Sequence, residues 1–162
     1  LVALIVANSA EACGVGYIMT STAGFAAYGY SVTAYSCISP NYSFGHELGH
    51  NMGSSHAPED GGAGFYPYSF GYKHPGRLFR TVMAYDCTNC CPRVLHFSNP
   101  NVNYGGNPTG TAVQHDNARS INNASGSTRS GSGSQHSCGQ TAAHCASSKW
   151  PTHSVHLLGS IS

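Results

Sequence analysis

Residues 46 to 56 read HELGHNMGSSH, and three histidines and one glutamate in that stretch have the types and spacing to do chemistry. His46 and His50 are four residues apart. On a helix that puts them on one face, about 6 Å apart along the axis, so both imidazoles can meet one zinc ion at about 2.0–2.1 Å. Glu47 falls on the adjoining edge of the same face, placed to reach a water beside the metal without ligating it. His56 is the third candidate ligand. It can return to the zinc only if the chain turns sharply after the helix, and Gly53 supplies the left-handed conformation for that turn. Three neutral histidines leave a fourth coordination position for water, the arrangement of a catalytic site and not of a closed structural one. Zinc lowers the pKa of such a water towards about 7 and polarises a carbonyl; Glu47 is then the general base, passing the proton on to a leaving amine.

These side chains need a helix beneath them. Ser39 followed by Pro40 is a start signal, since Ser can cap and Pro suits the first helical position; the helix is expected to run through Met52 and stop at Gly53. Ahead of it, LVALIVA over Leu1–Ala7 reads as a strand buried on both faces, and Gly14–Met19 and Gly29–Ser36 as two further strands. Ser21–Ala27 gives no clear assignment. Ala57–Arg80 reads as loop, dense in Gly, Pro and Tyr. Thr111–Asn122 reads as a second helix with Ala112, Val113, Ala118 and Ile121 on its buried side. The chain has 10 His, and the other seven carry no pattern of this kind. His74, His96 and His115 read as surface or hydrogen-bonded residues, while His136, His144, His153 and His156 fall in an irregular C-terminal stretch.

The bulk of the sequence narrows the classes. The 162 residues make one domain with a sizeable core. Charged residues are 8% and the formal net charge is +1, which gives no electrostatic case for nucleic acid. No stretch approaches the roughly 20 apolar residues of a membrane span. Seven cysteines favour disulfides in an oxidising, extracellular setting over a cysteine metal site, and one is left over. Cys13 with Cys37, Cys87 with Cys90 or Cys91, and Cys138 with Cys145 are candidate pairs. Asn41-Tyr42-Ser43 and Asn123-Ala124-Ser125 match the glycosylation pattern, the first inside the expected helix. The composition turns Ser/Gly-rich after Ala124, giving an expected organisation of 1–124 as the domain, 125–137 as linker and 138–162 as irregular tail. The sequence opens at Leu1 in mid-run, without initiator Met or signal-peptide pattern, and reads as a chain whose N-terminal part is missing.

The long zinc motif, together with Thr81-Val82-Met83-Ala84-Tyr85 downstream, resembles the metzincin metallopeptidases, whose signature is this motif plus a Met-turn. Within them, HELGHNMGSSH is most similar to the reprolysin (adamalysin-like) group and its bacterial secreted members. VMAYDC, CPRVLHFSNPNV and DNARSINN carry the likeness on to Asn123. The resemblance implies an α+β fold, with a twisted mixed sheet over the motif helix, Leu1–Ala7 in mid-sheet and earlier strands absent. It implies Met83 as a hydrophobic floor under the imidazoles and Tyr85 as a donor to an oxyanion near zinc. Reprolysins usually place Asp directly after the third histidine; here Ala57 stands there, so the supporting hydrogen bonds must differ or be absent. The implied activity is a secreted zinc endopeptidase acting on protein or peptide substrates, with aromatics of Ala63–Tyr72 walling an apolar specificity pocket. Calcium occurs in relatives, but no carboxylate cluster here calls for it. The alternative is a truncated or non-catalytic zinc-binding module on the same scaffold. Loss of Glu47 or of a ligand would be expected there, and none is lost.

Overall fold

A computed structural model describes residues 1–9, 12–88 and 91–127 of the chain. Three strands form a mixed sheet in the order β1-β3-β2: β1 is Val2–Val6, β2 is Gly14–Gly16 and β3 is Tyr30–Ala34. β1 pairs parallel to β3, with Val2 opposite Tyr30, and β2 pairs antiparallel to it, with Val15 opposite Val32. A disulfide between Cys13 and Cys37 ties the start of β2 to the segment after β3. The mixture of sheet and helix agrees with the α+β expectation.

The expectation of a β1 buried on both faces is overturned, while its place at the sheet edge agrees with the expected absence of earlier strands. β1 is an outer strand, and Leu1, Val2, Leu4 and Ile5 are all exposed. The physical reason is coverage. The motif helix packs chiefly on β3 and β2, so Ser31, Thr33 and Ala34 are buried while β1 lies beyond its reach.

The expected single helix from Ser39 to Met52 is broken. α1 covers Ile38–Asn41 and α2 covers Ser43–Asn51, with Tyr42 between them at φ 53°. A non-glycine residue in the left-handed region ends one helix before the next can start. Ser39 does not cap; the helical run is entered from a 3₁₀ turn over Tyr35–Cys37. The stop at Gly53 is as expected. Gly53 has φ 79°, its N–H donates to His50 O at 3.1 Å, and Ser54 N–H donates to Gly49 O at 2.9 Å, the paired bonds of a Schellman motif.

Beyond α2 the chain is mostly loop, with a 3₁₀ turn over Pro58–Asp60 and a small hairpin of β4 (Asn103–Tyr104) and β5 (Asn107–Pro108). The centre of the core nevertheless lies here: Phe79, Val82, Met83 and Ala84 are fully buried. A second disulfide, Cys87–Cys91, closes the turn that follows them. The last helix, α3, spans Asn117–Ser127, six residues later than expected, and carries three residues into the expected linker. Asp116 sets its start by accepting the Arg119 N–H at 3.1 Å. Thr111–His115 instead forms a tight turn, leaving Ala112 and Val113 exposed, and the buried side is Asn117, Ser120 and Ala124. Asn117 Nδ2 donates to Ser69 O at 2.6 Å and Ser120 Oγ bonds Ser69 Oγ, so α3 docks through polar contacts that an apolar-face reading overlooks. Cys138, Cys145 and the four C-terminal histidines lie outside the described residues, as does the rest of the expected linker and tail.

Candidate metal centre

α2 carries an unusual buried face for a helix: Ser43, His46, Glu47, Gly49, His50 and Asn51. Asn51 secures it to the sheet, its Nδ2 donating to Tyr17 O at 2.8 Å and Tyr30 O at 3.1 Å. Glycines set how closely the other elements approach. A Cβ at Gly14 would lie 2.6 Å from Glu47 Oε1, and one at Gly16 would lie 2.9 Å from the Glu47 carbonyl oxygen. β2 can therefore pass directly against Glu47 only because it reads Gly-Val-Gly. At Gly49, between the two helix histidines, a Cβ would meet Met83 Sδ at 2.5 Å and Phe97 Cε1 at 2.9 Å. Met83 thus fills the space beneath this turn of α2, where the Met-turn resemblance places it. A β-strand glycine pair is itself a sequence signal of close backbone approach.

His46, His50 and His56 converge, with ligand-capable nitrogens all within 4.8 Å of one another. His56 Nε2 lies 3.1 Å from His46 Nε2 and 3.1 Å from His50 Nε2. Each helix histidine uses its other nitrogen on a backbone carbonyl: His46 Nδ1 donates to Val82 O at 2.9 Å and His50 Nδ1 to Ser54 O at 3.1 Å. With the protons fixed on Nδ1, the Nε2 lone pairs face one another. Such a set repels itself unless a cation lies between, and tetrahedral zinc–imidazole geometry asks for nitrogen separations of about 3.3 Å. The donors therefore fit a metal ion. Burial favours the neutral form the ligands need. It lowers His46 to about 3 and His50 to about 4, and His56 is lowered too, chiefly by desolvation. Among the described residues no other cluster of this kind occurs. His74 accepts from Gly76 N–H at 3.0 Å and His115 bonds Thr111 Oγ1 at 2.9 Å, both away from the centre.

Glu47 lies beside His46 in a cavity of about 410 Å³. Desolvation raises its carboxyl to about 7, against the pull of Arg93. Tyr85 borders the same space, its ring 4.1 Å from that of His56 and 6.1 Å from that of His46 between centroids. Its phenol is held above its ordinary value, first by burial and then by the carboxylates of Glu47 and Asp60, which keeps it a donor.

Ala57 in place of the usual Asp raised the question of what braces the Met-turn. Asp60 does so. Its Oδ2 accepts the Tyr85 N–H at 2.8 Å, and Oδ1 is ion-paired with Lys73. The 3₁₀ turn Pro58–Asp60 brings the carboxylate back, four residues after His56 instead of one. None of Ala63–Tyr72 lines the cavity beside Glu47. Phe65 and Tyr66 lie by Gly53, Tyr66 stacks on Tyr68, and Arg119 of α3 covers Tyr68. The cavity is bordered instead by Arg80, Asp86 and Arg93, none of which the sequence reading singled out.

Comparison with known proteins places these features in a family. The model of the reprolysin-like metallo-peptidase family M12B matches residues 1–57. The peptidyl-Asp metalloendopeptidase of Stenotrophomonas maltophilia (strain K279a) is 36% identical over 126 residues, covering 75% of this chain and 30% of that protein. The peptidyl-Asp metalloendopeptidase of Xanthomonas campestris pv. campestris is 38% identical over 123 residues, 75% of this chain and 28% of its own length. That of Pseudomonas fragi is 40% identical over 82 residues, 50% of this chain and 57% of its own length. The chain thus spans about 30% of the length of the first two relatives. No solved structure matches the chain.

Proposed function

We propose that the chain, which is similar to the reprolysin-like M12B metallopeptidases over residues 1–57 and to metalloendopeptidases beyond them, supplies the zinc-binding and catalytic part of a secreted endopeptidase. The substrate is a protein or peptide with an aspartate next to the scissile bond, as the relatives' name suggests for them. One observation carries the reading: three Nε2 atoms converge at 3.1 Å contacts, and one of their histidines, His46, lines a cavity together with Glu47.

His46, His50 and His56 hold the zinc, which when bound supplies a Lewis acid and an acidified water. Val82 O and Ser54 O keep the two helix imidazoles in the ligating tautomer. Glu47, pressed between α2 and the glycines of β2, takes a proton from the attacking water and delivers it to the leaving amine. Tyr85 donates to the oxygen that gains charge at the scissile carbonyl. Met83 fixes the floor beneath α2, and Asp60 holds the Tyr85 backbone in place. β2, an outer strand running beside Glu47, offers an extended peptide a partner for strand addition. The catalytic domain is assigned to residues 1–124. Two disulfides support action in an oxidising compartment, and no helix among the described residues is long and apolar enough to cross a membrane.

The test is cleavage of internally quenched peptides by the zinc-loaded chain, with and without chelator, and by Glu47→Gln. Chelator-sensitive cleavage that drops by about 10²- to 10⁴-fold in the variant is expected. Cleavage that survives either treatment would remove Glu47 and the metal from the mechanism.

A further inference from the structure

The cavity beside Glu47 holds a cation that makes no ion pair among the described residues. Arg93 Nη1 donates to Asn41 O at 2.7 Å and Nη2 to Ala84 O at 3.0 Å, both uncharged acceptors. Its Nε is buried and has no partner. No carboxylate lies within ion-pair distance of it among the described residues. Arg80, bordering the same cavity, is differently placed: its Nε donates to Cys91 O at 3.0 Å and lies 3.4 Å from Asp86 Oδ1. Desolvation and then the neighbouring Arg80 pull Arg93 down to about 10, with Asp86, Tyr85 and Asp60 acting the other way. A half-buried guanidinium with Nη–H groups to spare is poised for a charged acceptor, because pairing offsets the hydration it has lost.

We propose that Arg93 is the specificity-determining residue of this site, donating the Nη–H groups left over from its two carbonyl bonds to the carboxylate of an acidic substrate side chain. The proposal rests on the endopeptidase reading above and adds the residue that selects the substrate. The guanidinium borders the cavity that also holds Glu47 and His46, so a carboxylate bound there lies alongside the bond to be cut. Its two carbonyl bonds hold the fork in place, tying the end of α1 to the residue after Met83, so the donor is organised before substrate arrives. Arg80 adds positive field while its own charge is met by Asp86.

Two competing roles would leave different marks. If Arg93 only braced α1 against the Met-turn, or only steadied the Glu47 carboxylate, its loss would slow every substrate alike. The experiment therefore compares two quenched peptides that differ only by Asp or Asn at the selected position. Wild type, Arg93→Gln and Arg93→Lys are assayed, all zinc-loaded and checked for folding by thermal melt. The expected result is an Asp-over-Asn preference in kcat/KM that falls on the order of 100-fold in Arg93→Gln and is partly kept in Arg93→Lys. Equal losses on both peptides, with the ratio unchanged, would overturn the proposal. A readout independent of turnover is the NMR signal of the Arg93 Nε–H in the zinc-loaded chain, titrated with N-acetyl-aspartate amide and N-acetyl-asparagine amide. Movement with the aspartate compound alone supports the assignment, and an equal response to both, or none to either, sinks it. If wild type cleaves neither peptide, the endopeptidase reading fails while the titration still decides the role of Arg93.

Discussion

The two halves of the described chain are held in opposite ways. Residues 1–37 contain the regular sheet, yet four apolar side chains of its outer strand segment are at least half exposed: Leu1 61%, Val2 57%, Leu4 56% and Ile5 50%. Residues 54–98 contain almost no regular structure, yet Phe79, Met83, Ala84, Ser69 and Ser98 are 0% exposed. Regular hydrogen bonding and burial are separate properties. The loop half closes because short side chains and glycines let its strands of backbone pass in contact: a Cβ at Gly71 would lie 2.7 Å from the Met83 carbonyl carbon. Its polar groups are met one by one, as when Ser98 Oγ donates to Phe70 O at 2.7 Å and accepts from Asn117 N–H at 2.8 Å. The metal centre is seated on this densely packed half, while the sheet contributes mainly the strand that flanks Glu47.

Substitutions at matched apolar positions should separate the halves most sharply. Met83→Ala removes a fully buried side chain from under α2 and is expected to cost about 2–5 kcal/mol in urea unfolding. A loss below 1 kcal/mol would mean the loop half is not the core.

Acid should act on the same half. His46 and His50 have folded pKa values of about 3 and 4, and His56 is also lowered. In the metal-free chain the unfolded state therefore takes up protons first as pH falls below about 6.5. Their contribution is present above that value and lost as pH drops toward the folded values. Glu47, raised to about 7, works the other way between 7 and its ordinary 4.5, since there the folded state binds the extra proton. Three imidazoles outnumber one carboxyl. The urea midpoint of the chelated chain is expected to be lower at pH 5 than at pH 7.5, and zinc at pH 7.5 should raise it further. A midpoint indifferent to pH would contradict the burial of the triad.

A smaller loss is expected from Asp60→Ala, about 1–3 kcal/mol, because the Tyr85 N–H and the Lys73 ammonium lose their common partner. If Asp60 braces the Met-turn, Lys73→Met should cost less than Asp60→Ala, since only the carboxylate touches Tyr85. The reverse order would locate the support in the ion pair alone. The smallest effect belongs to the sheet: Leu4→Ser is expected to change stability within about 0.5 kcal/mol. A larger loss would show that β1 is covered in solution by something the exposed strand does not reveal.

The sequence determined the chemistry because its signals are local. His46, Glu47 and His50 fall within about one helical turn, and Gly53 turns the chain for His56 by a conformation its lack of Cβ permits. Met83 and Tyr85 were expected from the resemblance that a short downstream motif carries, and the pairing of Cys13 with Cys37 from their places beside two strands. Tertiary structure decided what depends on contacts between distant segments. The break at Tyr42 is a backbone conformation that no pattern of apolar residues encodes. The late start of α3 follows from Asn117 and Ser120 bonding Ser69 some fifty residues earlier, a polar interface invisible to periodicity. Asp60 replaces the missing brace at Ala57 only because a 3₁₀ turn returns it to Tyr85. Arg93 is an ordinary basic residue in the sequence; the fold brings it to the Glu47 cavity and leaves its Nε without a partner. Ligand spacing is set by the helix repeat, whereas burial, bracing and selectivity are set by which loops the packed chain brings together.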